Sequence, residues 1–159
     1  MTIHNIPPVF DKDSRILILG SFPSVKSRDV GFFYGHPQNR FWKVLSSIFN
    51  EPLPLTIAEK KAFLKDTRVA LWDVIASCEI QGSSDSSIKN AAPNDISLIL
   101  SAAKIQKIFV NGKTAEKLYD KLILPSIGVG AVCLPSTSPA NAAWTLDRLI
   151  QAWSQAILG

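Results

Sequence analysis

The chain has 159 residues, 47% of them apolar, four tryptophans and a formal net charge of +4, which is enough for one domain with a real hydrophobic core. It has no apolar run as long as a membrane span, no signal-peptide pattern, and only two cysteines, too few for a disulfide framework or a zinc site. We therefore expect a single monomeric, cytoplasmic domain over residues 1–159, whose charge permits a nucleic-acid partner without requiring one.

Short apolar runs predict four buried parallel strands, because polar or turn residues stop each of them. These strands are expected at residues 15–20, 68–74, 107–112 and 130–135. Helical patterns lie between them at 38–49, 56–66, 94–103, 114–122 and 141–157, the second opening with a capping box at Thr56. The Ser-rich stretch 82–89 is interpreted as a loop. Strands that alternate with helices predict a parallel sheet covered on both faces.

Residues 32–42, FFYGHPQNRFW, form the most informative segment of the chain. Gly35 and Pro37 mark a tight turn, and apolar residues recur at helical spacing from Phe41 onward. An aromatic ring, an imidazole and an amide are thus gathered at the entrance of a helix, which suits stacking on a planar base and reading its edge. The alternative is a loop whose aromatic side chains only pack.

Polar or rigid groups follow all four predicted strands. The strands end in the segment 20–24, at Asp73, at Asn111 and in the segment 134–139. In a parallel sheet ligands bind beyond the carboxyl ends of the strands. The pattern therefore favours a binding site at this edge.

Several common catalytic motifs are excluded. A phosphate-binding loop ending at Gly112 would need a glycine where Lys107 stands, and no G-x-G-x-x-G is present. His4 and His36 lack metal-ligand spacing, and His4 is expected to be a loose N-terminal residue. No pair of catalytic carboxylates is evident. Chemistry would have to rest on amides, one histidine and backbone groups.

Five segments of the chain resemble the uracil-DNA glycosylase superfamily, most closely its hypoxanthine-type DNA glycosylases. They are residues 20–24, 34–42, 71–74, 111–115 and 134–141, in the order of the family. The His-Pro-x-Asn-x-Phe-Trp piece is specific and also occurs in the mismatch-specific uracil glycosylases. The resemblance implies an α/β fold, a three-layer αβα sandwich with a central four-stranded parallel sheet.

The resemblance also implies an activity. A deaminated base flipped out of DNA would be released by hydrolysis of its N-glycosidic bond, without a metal or organic cofactor. Hypoxanthine is the expected base, with uracil and xanthine as alternatives. No lysine falls in a matched motif as a Schiff-base nucleophile, so no lyase step is expected.

One position departs from the wider superfamily. Many members carry a catalytic Asp or Asn as the third residue of the first motif, where this chain has Phe22, which cannot orient water. The hypoxanthine-type branch resembles this chain in having the same gap. There the amide of the His-Pro-x-Asn segment is the candidate replacement, which is Asn39 here.

The resemblance implies roles for further residues. Expected base contacts are Phe22, Tyr34, His36, Asp73 and Asn111. Expected contacts to the DNA backbone are Ser136, Thr137, Ser138, Pro139, Arg40 and Lys89. Each residue also has a plainer reading, such as packing for Tyr34, a loop cap for Asp73, or a salt bridge for Arg40.

Two other classes of function stay open. The chain could be a non-catalytic nucleic-acid-binding domain, because Phe22 leaves the usual catalytic position empty. It could also be an N-glycosidase of free nucleosides or nucleotides on the same sheet architecture.

Overall fold

A four-stranded parallel sheet forms the centre of the protein, as seen in a computed structural model that describes all 159 residues. The strands of the molecule are β1 (Thr2–Ile3), β2 (Ile16–Gly20), β3 (Val69–Asp73), β4 (Ile75–Glu79), β5 (Lys89–Pro93), β6 (Lys107–Asn111) and β7 (Val132–Leu134). The central sheet has the order β3-β2-β6-β7, and every pairing in it is parallel. Ile18 in β2 lies opposite Leu71 on one side and Phe109 on the other.

Helices cover this sheet. They are α1 (Val25–Val30), α2 (Phe41–Ile48), α3 (Ile57–Thr67), α4 (Ser97–Ala102), α5 (Lys113–Leu122), α6 (Leu124–Ile127) and α7 (Leu146–Leu158), with a 3₁₀ helix at Asp85–Ser87. Helix α3 contacts β3, α5 contacts β6 and β7, and α7 packs on both β7 and α2. The predicted αβα sandwich is therefore confirmed. None of the helices has both the length and the apolar stretch that crossing a bilayer requires.

The middle residues of the two central strands, β2 and β6, are apolar because both faces of the sheet are covered. Leu17, Ile18 and Leu19 have no exposed surface, and Phe109 and Trp153 are also buried beside them. At about 25 cal/mol per Å² of apolar surface removed from water, such burial is the main force that holds the layers together. The polar groups at the strand ends are thus attached to a closely packed apolar centre.

Local hydrogen bonds decide where two helices start. The predicted capping box is confirmed, since Thr56 accepts from the Glu59 amide at 3.0 Å and Glu59 accepts from the Thr56 amide at 2.9 Å. Helix α2 was predicted from residue 38, but it begins at Phe41 because the Asn39 side chain accepts the Phe41 amide at 2.9 Å. That bond keeps the residues before Phe41 in a turn, where their side chains can face away from the helix.

A second sheet was not predicted. Strands β1, β4 and β5 form an antiparallel sheet in which β4 lies in the middle. Its strands escaped sequence analysis because β1 has two residues, β5 contains the run Ala91–Pro93, and the pairing of β4 with β5 is irregular. The Ser-rich stretch is the connection between β4 and β5, and it contains the 3₁₀ helix at Asp85–Ser87.

Candidate functional site

The carboxyl ends of the parallel strands surround a cleft of about 500 Å³. This volume is within the range of small-molecule sites and accommodates a planar ring of nucleobase size. Ten of the twelve residues predicted for the site line it, namely Phe22, Tyr34, His36, Asn39, Asp73, Asn111, Ser136, Thr137, Ser138 and Pro139. The two that do not are Arg40 and Lys89.

A larger groove of about 750 Å³ lies at the opposite end of the sheet. Its lining includes the basic residues Lys12, Arg15, Lys104 and Lys107. Arg15 directly precedes β2, and Lys107 is the first residue of β6. None of the residues predicted for the site lines it. The cleft at the carboxyl edge, with its convergent amides and carboxylates, is therefore the candidate site.

Asn39 is held in place by its carbonyl oxygen. Oδ1 accepts the Phe41 amide at 2.9 Å and the Thr137 hydroxyl at 2.9 Å. A carbonyl oxygen has two lone pairs, so both are occupied. The amide nitrogen Nδ2 makes no hydrogen bond within the protein, which leaves it as the polar atom that Asn39 offers to the cleft.

Thr137 links the two amides of the cleft. Its hydroxyl accepts from Asn111 Nδ2 at 3.0 Å while it donates to Asn39, and its backbone amide donates to Asn111 Oδ1 at 3.1 Å. Asn111 also donates to the Tyr34 hydroxyl at 3.2 Å. The Thr137 residue has no exposed surface, so it positions its neighbours instead of presenting a hydroxyl at the protein surface.

Tyr34 is constrained on one face. Its ring stacks on Phe41 with centroids 4.0 Å apart and planes 15° apart, and its backbone adopts a left-handed φ of 54°. Only its other face or its edge can therefore meet a ligand. Burial raises the pKa of the Tyr34 hydroxyl, the nearby Asp73 charge raises it further, and the Asn111 hydrogen bond acts in the opposite direction. The hydroxyl thus keeps its proton.

Asp73 is buried at the tip of β3 and paired with His4. Its Oδ2 accepts from His4 Nε2 at 2.8 Å, while His4 Nδ1 accepts the Ile6 amide at 3.2 Å, which places the proton of a neutral ring on Nε2. The expectation that His4 is a loose terminal residue was wrong. Pairing of β1 with β4 brings it back over the sheet, and its ring lies 5.9 Å from that of Phe22.

Phe22 and His36 complete two walls of the cleft. Phe22 is buried to all but 8% of its surface, and the Arg28 guanidinium lies 5.5 Å from the centre of its ring. Its side chain has no polar atom, so the part that lines the cleft is apolar. His36 Nδ1 accepts the Gln38 amide at 3.1 Å, which leaves Nε2 as the ring atom free to bind a ligand.

The two predicted residues outside the cleft lie in different surroundings. The Arg40 guanidinium donates to the carbonyls of Ser138 at 2.9 Å, Asn141 at 3.1 Å and Trp144, so it holds the loop after β7 from beneath. No sequence pattern reveals these three hydrogen bonds, because Arg40 and its partners lie about a hundred residues apart. Lys89 is exposed on β5 in the second sheet.

Asp85 is a cleft residue that sequence analysis missed. It lies on the 3₁₀ helix of the Ser-rich connection, and its Oδ1 accepts the Ser21 hydroxyl at 3.0 Å. Partial burial raises the pKa of the Asp85 carboxyl and the charge of Asp73 adds to this, while the Ser21 hydrogen bond lowers it. The cleft thus has two carboxylates, where the sequence suggested no pair. No group of His, Cys, Asp and Glu side chains here is arranged to hold a metal ion.

Replacing Thr137 by valine is expected to loosen the cleft. Valine keeps the shape of the side chain but removes the hydroxyl that joins Asn39 to Asn111, so each of these half-buried amides loses one hydrogen-bond partner. A lost partner of this kind costs about 1–3 kcal/mol, which urea unfolding should measure. A Ser101→Ala variant, which removes an exposed hydroxyl far from the cleft, is the control. Equal stability of the two variants would contradict the network.

Comparison with known proteins places this fold and cleft in a family. The family model for the uracil DNA glycosylase superfamily matches residues 7–157. A protein of Methanosarcina barkeri named hypoxanthine DNA glycosylase is 34% identical over 158 residues, which cover 98% of each chain. Another protein of that name, from Methanosarcina acetivorans, is 37% identical over 150 residues, covering 93% of this chain and 94% of that one.

A solved structure agrees. It is a solution NMR structure from Methanosarcina acetivorans, described provisionally as a uracil DNA glycosylase. It superposes with a TM-score of 0.81 at 33% identity and covers 98% of this chain and 96% of its own. The family resemblance carried by the five sequence segments is thereby confirmed. The chain belongs to the uracil DNA glycosylase superfamily.

Proposed function

We propose that this protein is a monofunctional DNA glycosylase that releases a deaminated base, hypoxanthine foremost, from DNA. Full-length similarity to two proteins named hypoxanthine DNA glycosylase carries the proposal. The cleft adds support, because it gathers aromatic rings, two amides and two carboxylates at the carboxyl edge of the sheet. A duplex base would reach it by flipping out of the stack.

The polar atoms of the cleft suit hypoxanthine. This base carries a proton on N1 and acceptors at O6, N3 and N7. Asp73 has one carboxylate oxygen without a hydrogen bond inside the protein, which can accept from N1–H. Adenine has a lone pair at N1, which a carboxylate repels. Donors for the acceptor atoms are available from Asn39 Nδ2 and His36 Nε2.

Stacking would hold the base in the plane that these groups read. The free face or edge of Tyr34 and the wall formed by Phe22 supply the aromatic surface. Base–aromatic stacking is worth about 1–3 kcal/mol per base. Asn111 fixes the Tyr34 hydroxyl and so contributes to base binding through the position of that ring.

Asn39 is the catalytic amide in this proposal. Its Nδ2 donates to the oxygen of the attacking water or to the departing base, and in either position it stabilises charge that develops as the bond breaks. No lysine lines the cleft to form a Schiff base with the abasic sugar, so the reaction ends after hydrolysis.

The loop after β7 would meet the DNA backbone. Ser136, Ser138 and Pro139 line the cleft and are partly or fully exposed, while Arg40 donates to the carbonyl of Ser138 and so holds the loop in place. Buried Thr137 contributes by positioning Asn39. Lys89, exposed on the second sheet, could add charge at the edge of the interface.

A base-release assay tests the function. The protein is incubated with duplex oligonucleotides that contain deoxyinosine, deoxyuridine or deoxyxanthosine, and abasic sites are then cleaved with alkali. Product from deoxyinosine is the expected result. Binding of the damaged duplex without release, or hydrolysis of free inosine but not of DNA, would overturn the proposal in favour of a binding domain or a nucleosidase.

A further inference from the structure

The Asn39 amide cannot accept a hydrogen bond from the attacking water. Hydrolysis adds water to the sugar carbon C1′, and the water must give up a proton. Both lone pairs of Asn39 Oδ1 are taken, by the Phe41 amide and the Thr137 hydroxyl. Asn39 can hold the water only by donating to it, so the proton needs another acceptor in the cleft.

The cleft contains two carboxylates, which differ in depth and in partners. Asp73 is only 4% exposed, and His4 occupies one of its oxygens. Asp85 lies at the exposed rim, where Ser21 holds Oδ1 and Oδ2 makes no hydrogen bond within the protein. When a nucleotide flips into the cleft, the base enters first. The sugar therefore stays nearer the mouth of the cleft than the ring of the base. Asp73 is therefore placed to read the base, and Asp85 lies on the side of the sugar.

We infer that Asp85 is a second catalytic residue, which accepts the proton of the water that attacks C1′. This inference rests on the proposed glycosylase function. In the step, the water oxygen bonds to C1′, one water proton passes to Asp85 Oδ2, and the N9–C1′ bond breaks. The electron pair of that bond leaves with the base, which takes up a proton from solvent. The products are free hypoxanthine and an abasic sugar, and Asp85 then returns its proton to solvent.

The groups around Asp85 act on its protonation in opposite directions. Partial burial raises the pKa of its carboxyl, and so does the charge of Asp73, which faces it from the tip of β3. Ser21, after β2, favours the ionised form by donating to it. Arg28 of α1 donates to the carbonyl of Gly82 in the same connection.

The direction of the pH dependence follows from these groups. The reactive form is the carboxylate, so base release should rise as the pH passes upward through the pKa of Asp85. Because that pKa is raised, the acidic limb of the profile should lie above that of an ordinary aspartate. Removing the Ser21 hydroxyl should move the limb to still higher pH, since the ionised form loses a hydrogen bond.

The test measures single-turnover release of hypoxanthine from a deoxyinosine duplex across pH. Asp85→Asn is expected to lower the rate by about 10²–10⁴-fold and to abolish the acidic limb. Asp85→Glu should retain the limb at a reduced rate, and Ser21→Ala should shift it upward. Asp66→Asn, which removes an exposed carboxylate on α3, is the control for charge and should leave both rate and profile unchanged.

Two kinetic results, and one binding result, would overturn the assignment of Asp85. One is release by Asp85→Asn at the wild-type rate. The other is a slower rate with an unchanged acidic limb, which would indicate a structural role. Affinity for a duplex that carries a non-hydrolysable 2′-fluoro-arabino inosine should be the same for Asp85→Asn and wild type, and its loss would likewise contradict a purely chemical role. Absence of release by the wild-type protein would instead overturn the proposed function.

Discussion

Asn39→Ala is expected to lower the rate of hypoxanthine release by about 10²–10³-fold, the usual cost of removing one positioned donor from a site of charge development. The physical reason is that Nδ2 is the only polar atom of this side chain that the protein leaves free for the reaction. Single-turnover rates on a deoxyinosine duplex measure the effect. Affinity for the damaged duplex should fall much less, because stacking and the loop contacts remain.

A second variant separates chemistry from folding. In Asn39→Asp, a carboxylate oxygen can still accept the Phe41 amide and the Thr137 hydroxyl, so the start of α2 is kept while the N–H donor is lost. Its rate should be as low as that of Asn39→Ala. Gln38→Ala removes an exposed neighbouring amide that makes no side-chain hydrogen bond, and it should react like wild type. Full activity of Asn39→Asp would show that the donor is not needed.

The general position of the site could be predicted because it follows from local sequence. The end of each apolar run marks a strand tip, and parallel strands place their carboxyl ends at one edge of the sheet. Asp73 and Asn111 were identified in this way, and both line the cleft. The hydrogen bonding of the Asn39 amide could not be predicted, because one of its partners is the Thr137 hydroxyl, which lies 98 positions further along the chain.

The features that were missed depend on non-local contacts with weak sequence signals. His4 reaches Asp73 across 69 positions, and it does so through a two-residue strand that carries no periodicity. Asp85 lies in a polar stretch that resembles any solvated loop, and only the pairing of β4 with β5 brings it to the cleft. Loop side chains of this kind are placed by the sheet that carries them, so their neighbours cannot be derived from spacing.

Gly20→Ala is expected to lower base release by about 10²-fold, because it displaces groups that read the base by an amount on the order of 1 Å. A Cβ at position 20 would overlap with Asp73 Oδ1 and would lie 3.0 Å from the Tyr34 hydroxyl. Backbone strain is not the cause, since Gly20 is not among the glycines with positive φ. The carboxylate must rotate away, which also disturbs its bond to His4. Parallel measurement of release rate and duplex affinity should show both reduced.

The cause of that loss can be isolated with a control and a double variant. Gly130→Ala adds the same methyl group where nothing lies within 4 Å and φ is not positive, so its activity should equal wild type. In an Asp73→Ser background the shorter side chain leaves room for a Cβ, and Gly20→Ala should then cost little beyond the loss caused by Asp73→Ser itself. If the rate losses of Gly20→Ala and Asp73→Ser multiply in the double variant, the two positions act independently. Strong coupling would instead establish that Gly20 is required because Asp73 must approach the backbone of β2 closely.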